Sequence, residues 1–203
     1  MAENHQESKI KRIFKKIWRR IKSYFSNEDN YIHMRLFVED ITSEFEEGLR
    51  EKVHHTCTSC EIREAEEEDL ESIIRLHDKA WHTTPMPYQQ VKKKKLRKLF
   101  EDEDFVFLIA KMGSIDVGFA IIYFGGNKKD IGVIAGLGVE PKLQKKGLGT
   151  MIGMAIWDYF KKRGIKELRC KVYKGNETAY SFISELGFKE FKEVKDYTYL
   201  KKF

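Results

Sequence analysis

The sequence contains few cysteines, no long apolar run and no internal repeat. Three cysteines in 203 residues cannot form a disulfide framework, which argues against a small secreted domain and favours a reducing, cytoplasmic setting. No apolar stretch approaches the roughly 20 residues of a membrane-spanning helix. The N-terminus also lacks the uninterrupted apolar segment of a secretory signal, so we expect neither a transmembrane nor an exported protein.

The charges are numerous and nearly balanced. Lys and Arg number 38 against 32 Asp and Glu, which gives a formal net charge of +6, and 41% of the residues are hydrophobic. This apolar content is enough for a packed core and excludes global disorder. The positive balance favours an anionic ligand, nucleic acid or anionic lipid, but it does not choose among them.

Residues 9–25 combine an apolar stripe with a basic face. Apolar residues recur there at helical spacing and Lys and Arg fill the other positions, so we predict an amphipathic helix. The stripe can pack on residues 36–53 or on the folded domain, or it can lie on an anionic membrane with Trp18 buried. Binding to nucleic-acid phosphates is less favoured because the stripe is aromatic. Co-sedimentation with anionic liposomes would distinguish membrane binding from packing on the protein and from nucleic-acid binding.

Residues 31–53 are acidic, and their pattern fits two structures. Residues 31–37 could alternate as a strand, but apolar residues recur at every fourth position from Phe37 to Val53, which favours a helix from about residue 36. The composition changes after this segment. We therefore predict a helical extension over residues 1–56 and a folded domain over residues 57–203.

Four potential metal ligands lie at this boundary, and they are His54, His55, Cys57 and Cys60. Zinc accepts these ligand types, but structural zinc sites usually draw on two separated ligand pairs that enclose the ion. The sequence offers only one such group. We therefore predict a linker and no metal site.

Strands and helices alternate after residue 60. We predict strands over 61–63, 105–111, 117–124, 131–139 and 168–173 with a last pair within 188–200, and helices over 67–81, 88–100, 147–163 and 176–186. Met112-Gly113-Ser114 joins two apolar strands as a hairpin. This order predicts an α/β sandwich with a partly antiparallel sheet.

The segment from Leu137 to Thr150 carries the chemistry. A strand ends, a short basic loop follows, and a helix begins with Gly147 and Gly149 in its first turn. A helix N-terminus offers free N–H groups and partial positive charge, and glycine lets a phosphate approach the backbone closely. The plain alternative is a basic turn that only starts a helix. Three lysines add positive charge around the opening: Lys142, Lys145 and Lys146.

Further motifs accompany this segment in a fixed order. They are Val117-Gly118-Phe119, the strand end Leu137-x-Val139-x-Pro141, the loop Gln144-x-x-Gly147-x-Gly149, and Asn176-x-x-Ala179 followed by Leu186-Gly187-Phe188. Together they resemble the GNAT superfamily of N-acetyltransferases over about residues 61–203. The resemblance implies an α/β (α+β) fold with a mixed, largely antiparallel sheet and helices on both faces, here preceded by the N-terminal helical extension.

The resemblance also implies acetyl-CoA as co-substrate. In this superfamily the pantetheine arm lies along a strand that diverges from its neighbour, and a backbone N–H near Val139 is the expected donor to the thioester oxygen. Asn176 is expected to contact the pantetheine or phosphate region, with a plain helix N-cap as the alternative. The remaining expected contacts come from the strand Leu137-Gly138-Val139 and from the pyrophosphate loop Gln144, Lys145, Lys146, Gly147, Leu148, Gly149 and Thr150.

The implied reaction is direct attack of a primary amine, from a protein N-terminus, a lysine or a small molecule, on the acetyl thioester. The superfamily commonly has a tyrosine acid where this chain has Ile183, so we take Tyr180, one turn earlier, as the candidate acid. His82, in the loop expected over the acceptor, is the candidate base. Ile183 also keeps open a catalytically weak CoA-binding regulatory or membrane-tethering module, which turnover of acetyl-CoA would exclude.

Overall fold

The computed structural model describes residues 30–54, 60–88, 90–126 and 129–192. The strands are β1 (Tyr31–Phe37), β2 (Cys60–Glu64), β3 (Phe105–Met112), β4 (Ile115–Gly125), β5 (Ile131–Val139), β6 (Glu167–Tyr173) and β7 (Lys189–Glu190). The α-helices are α1 (Ser43–His54), α2 (Leu70–His82), α3 (Lys93–Phe100), α4 (Leu148–Lys162) and α5 (Glu177–Glu185). The strands and helices predicted between residues 61 and 186 are present. Two helices begin later than predicted: α3 starts at Lys93 and not at residue 88, and a 3-10 turn at Glu67–Asp69 precedes α2.

The seven described strands form one sheet in the order β2-β3-β4-β5-β6-β1-β7. From β2 to β5, each strand pairs antiparallel with the next strand of the chain. Strand β5 pairs parallel with β6, and β1 pairs antiparallel with β7. The parallel pair needs a crossover connection, and α4 supplies it between β5 and β6. The predicted mixed, largely antiparallel sheet is confirmed.

Helices cover both faces of the sheet, as predicted. On one face, the ring of Phe160 in α4 lies 5.5 Å from that of Phe124 in β4, and α1 and α5 pack on α4. On the other face, His77 of α2 approaches Phe119 of β4, and Phe100 of α3 packs on Phe107 of β3. Alternate residues of β4 therefore face opposite helical layers.

Residues 31–37 form the strand that their alternation allowed, and the helix starts later than predicted. The chain forms strand β1, a 3-10 turn at Val38–Asp40 and only then helix α1. The prediction of helix from about residue 36 is wrong at its start, because β1 gains partners in the sheet and the Val38 N–H donates to Lys166 O at 2.9 Å. The Thr42 hydroxyl accepts from the Phe45 N–H and marks the later helix start.

The compact unit runs from Ile32 to Phe191. Met34, Leu36 and Leu49 are buried in the same core as the sheet, so the expected division at residues 56 and 57 lies inside this unit. The reason is that β1 and α1 bury their apolar faces against elements that follow residue 60.

Several expectations fall outside the described residues. These are the amphipathic helix 9–25, the later part of the strand pair 188–200, and His55 and Cys57 of the proposed linker. Within the described ranges, no group of three His, Cys, Asp or Glu side chains could hold a metal ion. None of the described helices is both long and apolar enough to cross a bilayer.

Gly132 of β5 tests the packing of the sheet on α4. A Cβ at this position would lie 2.2 Å from Cε1 of the buried Phe160 ring, so Gly132→Ala should destabilise the protein by about 1–3 kcal/mol. Gly48 is an exposed position of α1 where an added Cβ would meet nothing within 4 Å, so Gly48→Ala should stabilise the protein by about 0.5–1 kcal/mol. Thermal and urea unfolding measure the stability of both variants. Equal stability of the two variants would contradict the close approach of Phe160.

Candidate active site

The sheet opens between β5 and β6. Parallel pairing extends from Ile131 opposite Glu167 to Ile134 opposite Cys170, although both strands continue beyond these residues. At the same point the β4–β5 register shifts: Ile122 faces Ile134, and Ile121 faces Gly136. Ala135 is therefore an extra residue in β5, and such a bulge bends its strand. The bend accompanies the divergence of β5 from β6 and leaves a wedge at their carboxyl ends.

Backbone orientation matters at the end of β5. The Glu140 N–H donates to Val117 O at 2.8 Å, so it points toward β4. Because successive residues of a strand point their polar groups to opposite sides, the N–H and C=O of Val139 point toward the wedge. Gly138 and Val139 are buried, and Leu137 is half-buried. A Cβ on Gly138 would meet the Phe119 ring at 2.5 Å, so glycine is required by packing there.

The loop after β5 has the backbone of an anion site. Lys145 and Gly147 adopt positive φ angles of 59° and 77°, and Gly147 is the N-cap of α4. The left-handed conformation at Gly147 turns the chain sharply into the helix, whose first N–H groups have no partners within the helix. Lys142, Lys145 and Lys146 are exposed around this turn. Pyrophosphate fits such a turn in both shape and charge.

The other predicted loop residues have visible structural roles. The Gln144 side-chain amide donates to Val139 O at 3.3 Å and so ties the loop to the end of β5. Leu148 is buried, while Thr150 is half-exposed in the first turn of α4. A Cβ on Gly149 would lie 3.2 Å from Phe182 of α5, so close helix packing accounts for this second glycine.

Asn176 caps helix α5. Its Oδ1 accepts from the Ala179 N–H at 3.1 Å, and the side chain is buried, with 8% of the residue exposed. The N-cap alternative raised from the sequence is therefore present. A contact between Asn176 and the co-substrate stays a prediction.

A cavity of about 600 Å³ lies beside the wedge on the α2 side. Lys79 of α2 and Glu140 after β5 bridge its wall, with Nζ and Oε2 2.9 Å apart. This ion pair joins the end of α2 to the end of β5. The cavity is lined by Asp78, Lys79, His82, Glu140, Pro141 and Lys142.

His82 lines this cavity with one ring nitrogen fixed by the backbone. Its Nδ1 lies 2.6 Å from the carbonyl oxygen of Asp78, and since a carbonyl oxygen only accepts, Nδ1 carries the hydrogen. In the neutral ring Nε2 is then the nitrogen with the free lone pair. The ring packs against Tyr88 with centroids 4.4 Å apart. The Tyr88 hydroxyl donates to Asp78 Oδ1 at 2.9 Å, which raises the pKa of Tyr88.

The sequence analysis did not identify His77 as a residue near the site, but the structure gives its ring defined contacts there. Its ring stacks on Trp81, with centroids 4.2 Å apart, and faces Phe119 at 6.4 Å. Burial lowers the pKa of His77, so the ring is neutral at pH 7. The only sequence signal was the spacing of His77 and Trp81, four residues apart on one helical face.

Tyr180 lies on α5 with its hydroxyl engaged. It donates to Glu190 Oε1 at 2.8 Å, and this bond to a carboxylate raises the pKa of Tyr180. Ile183 is buried in the core, with 6% of the residue exposed. Glu190 belongs to β7, and strand β1 lies between β7 and β6 in the sheet, so the Tyr180 hydroxyl is directed toward the far edge of the sheet and not toward the wedge. Its role as the acid stays a prediction.

Residues 63–188 match the model of the acetyltransferase (GNAT) family. The chain belongs to this family. An uncharacterized N-acetyltransferase of Methanocaldococcus jannaschii is 28% identical over 153 residues, which cover 71% of this chain and 67% of that protein. The spermidine N(1)-acetyltransferase of Thermoplasma acidophilum is 27% identical over 146 residues, which cover 64% of this chain and 89% of that protein.

The solved structures agree with this family assignment. The PaiA N-acetyltransferase of Thermoplasma acidophilum, in complex with coenzyme A, matches with a TM-score of 0.60 and 25% identity, covering 68% of this chain and 94% of that chain. The GNAT protein described here is thus an N-acetyltransferase that uses acetyl-CoA. Its wedge, left-handed glycine and exposed lysines fit that co-substrate.

Gly147→Asp tests the pyrophosphate loop. The substitution adds a Cβ at a φ of 77° and a negative charge at the start of α4, so it should remove most of the thermal shift produced by acetyl-CoA. Gly164→Asp is the matched control, since Gly164 has a φ of 68° just after the other end of α4. It should retain the shift. A full acetyl-CoA shift in Gly147→Asp would contradict this use of the loop.

Proposed function

We propose that this GNAT protein acetylates a primary amine by direct attack of the amine on the thioester carbon of acetyl-CoA. The observation that carries the proposal is the position of His82, whose Nε2 has a free lone pair in the neutral ring and which lines the cavity beside the end of β5. An amine must lose a proton before it can attack. A neutral imidazole beside the wedge can accept that proton.

The proposed reaction balances in two steps. The ammonium passes one proton to His82, and its nitrogen lone pair then forms a C–N bond to the thioester carbon. Negative charge develops on the thioester oxygen, where the Val139 N–H, directed toward the wedge, is the proposed donor. The C–S bond then breaks, the sulfur leaves as a thiolate that takes up a proton from the proposed acid, and the nitrogen releases its second proton to solvent as the neutral amide forms. Solvent then takes the proton from His82 and reprotonates the acid, so one proton is released overall.

Tyr180 is the proposed donor of the proton that the thiolate takes up. A tyrosine hydroxyl is protonated at neutral pH, which an acid requires. The bond to Glu190 raises the pKa of Tyr180, which makes the hydroxyl a weaker donor while that bond is in place. The hydroxyl must leave Glu190 to reach a thiolate, so Glu190 competes for the same hydrogen. Asn176, at the N-cap of the same helix, is proposed to contact the pantetheine region.

The acceptor is proposed to be a small amine, with a protein N-terminus or a lysine as the other candidates. The name of the Thermoplasma acidophilum relative, a spermidine acetyltransferase, supports the small-amine candidate. The acceptor side is formed by the end of α2 and the loop that follows it, and loops of this kind set substrate choice on a shared scaffold.

The decisive experiment measures thiol release from acetyl-CoA with a panel of monoamines, polyamines and peptides. We expect turnover with at least one class, and a fall in kcat/KM of about 100-fold for His82→Gln at neutral pH, because general-base help is lost. The difference in kcat/KM between His82→Gln and the parent should become smaller at higher pH, because more of the free amine is then already deprotonated. An unchanged acetyl-CoA thermal shift checks the fold. Acetyl-CoA binding without turnover on any amine would instead support the non-catalytic module.

Tyr180→Phe should lower kcat at least tenfold, with little change in the acetyl-CoA thermal shift, because the thiolate would leave without an acid. Tyr159→Phe is the matched control, since Tyr159 of α4 likewise donates to a glutamate, Glu64, and is not among the proposed site residues. It should keep its kcat. A Tyr180→Phe enzyme as fast as the parent would remove Tyr180 from the mechanism.

A further inference from the structure

We propose that Asp78 and Tyr88 form a subsite for a second positive charge on the acceptor, so that the preferred acceptors are diamines or polyamines. The inference rests on the proposed function and specifies the substrate class of the same site. It follows from the charges, the exposed aromatic ring and the spacing of the groups along α2.

Asp78 forms no ion pair with a Lys or Arg in the part of the chain that the structure describes. Its Oδ1 accepts from the Tyr88 hydroxyl and lies 3.4 Å from Nδ1 of His77. The tyrosine is neutral, and burial keeps His77 neutral. No Lys or Arg among the described residues lies within 4 Å of the Asp78 carboxylate, whose side chain is 36% exposed. A carboxylate in this setting favours a cationic ligand.

The other charges of the cavity have different partners. The Lys79 ammonium is paired with Glu140, so these two charges cancel at the wall. Lys142 belongs to the turn that also carries Lys145 and Lys146, on the side proposed for pyrophosphate. Lys142 also lines the cavity, so the formal charges of Asp78, Lys79, Glu140 and Lys142 sum to zero. The Asp78 carboxylate is nevertheless the negative group next to His82, and it attracts a cationic acceptor locally.

Tyr88 supplies a second element of cation recognition. It is one of the few large hydrophobic side chains exposed in the described chain, with 42% of the residue accessible. Its hydroxyl is held by Asp78 and its ring by His82, so the ring is fixed beside the carboxylate. An exposed aromatic face next to a carboxylate attracts an alkylammonium group through both its charge and its methylene groups.

The spacing along α2 is compatible with a short diamine. Asp78 and His82 are four residues apart on α2, so their Cβ atoms lie roughly 5–6 Å apart on one face of the helix. The two nitrogens of an extended 1,4-diaminobutane are separated by roughly 6 Å, from ordinary bond lengths. One nitrogen can therefore be deprotonated at His82 while the other remains an ammonium at Asp78.

The test compares 1,4-diaminobutane with n-butylamine, which has the same chain and lacks the second nitrogen. In the parent enzyme we expect kcat/KM at least tenfold higher for the diamine. Asp78→Asn should lower kcat/KM for the diamine about tenfold more than it lowers kcat/KM for n-butylamine, because the charged contact serves only the second nitrogen. Tyr88→Leu should lower the diamine preference about threefold.

Glu71→Gln is the control for general loss of negative charge. Glu71 lies two turns before Asp78 on α2 and is paired with Lys93, so this variant should keep the diamine preference. Equal preference in the parent and Asp78→Asn, or turnover of peptides with none of diamines, overturns the subsite and leaves the proposed function standing. No turnover of any amine by the parent overturns both. The acetyl-CoA thermal shift confirms that each variant is folded.

Discussion

The divergence of β5 from β6 is the constraint on which the rest of the site depends. Four residue pairs hold the two parallel strands together, and the extra residue Ala135 then bends β5 where the pairing ends. Backbone groups of β5 that would otherwise bond a neighbouring strand become available to an amide-bearing ligand. The same strand runs directly into the loop before α4, so the wedge and the anion site are built from one continuous segment.

Close packing on both faces keeps this segment rigid. Two glycines of β5 lie against aromatic rings on opposite faces of the sheet: Gly132 against Phe160 of α4, and Gly138 against Phe119 of the neighbouring strand β4. A side chain at either position would collide with the ring. The Gln144 amide then fixes the loop to Val139, so the turn at Gly147 is held relative to the strand. Rigid placement of this kind is what a binding site for a long flexible co-substrate requires.

Charge is divided between the two sides of the site. The lysines of the loop give positive charge to the side proposed for phosphate, while Asp78, which no Lys or Arg of the described residues pairs within 4 Å, lies on the proposed acceptor side. The Lys79–Glu140 ion pair stands between them and joins α2 to the end of β5. The two substrates of an acetyl transfer to a cationic amine carry opposite charges, so this division suits the proposed reaction.

The sequence by itself determined the elements between residues 61 and 186 and the family to which they belong. Strand β5, helix α4 and the glycine between them follow from local rules of periodicity, helix starts and left-handed turns, and these need no distant partner. Only the tertiary structure decided the bulge at Ala135 and the inclusion of β1 in the sheet, because each depends on strands far away in the chain. It also decided which side chains share the acceptor cavity. The hydrogen bond that fixes His82 Nδ1 and the contact of Tyr88 with Asp78 arise where a helix end, a loop and a strand end meet, which spacing along the sequence does not encode.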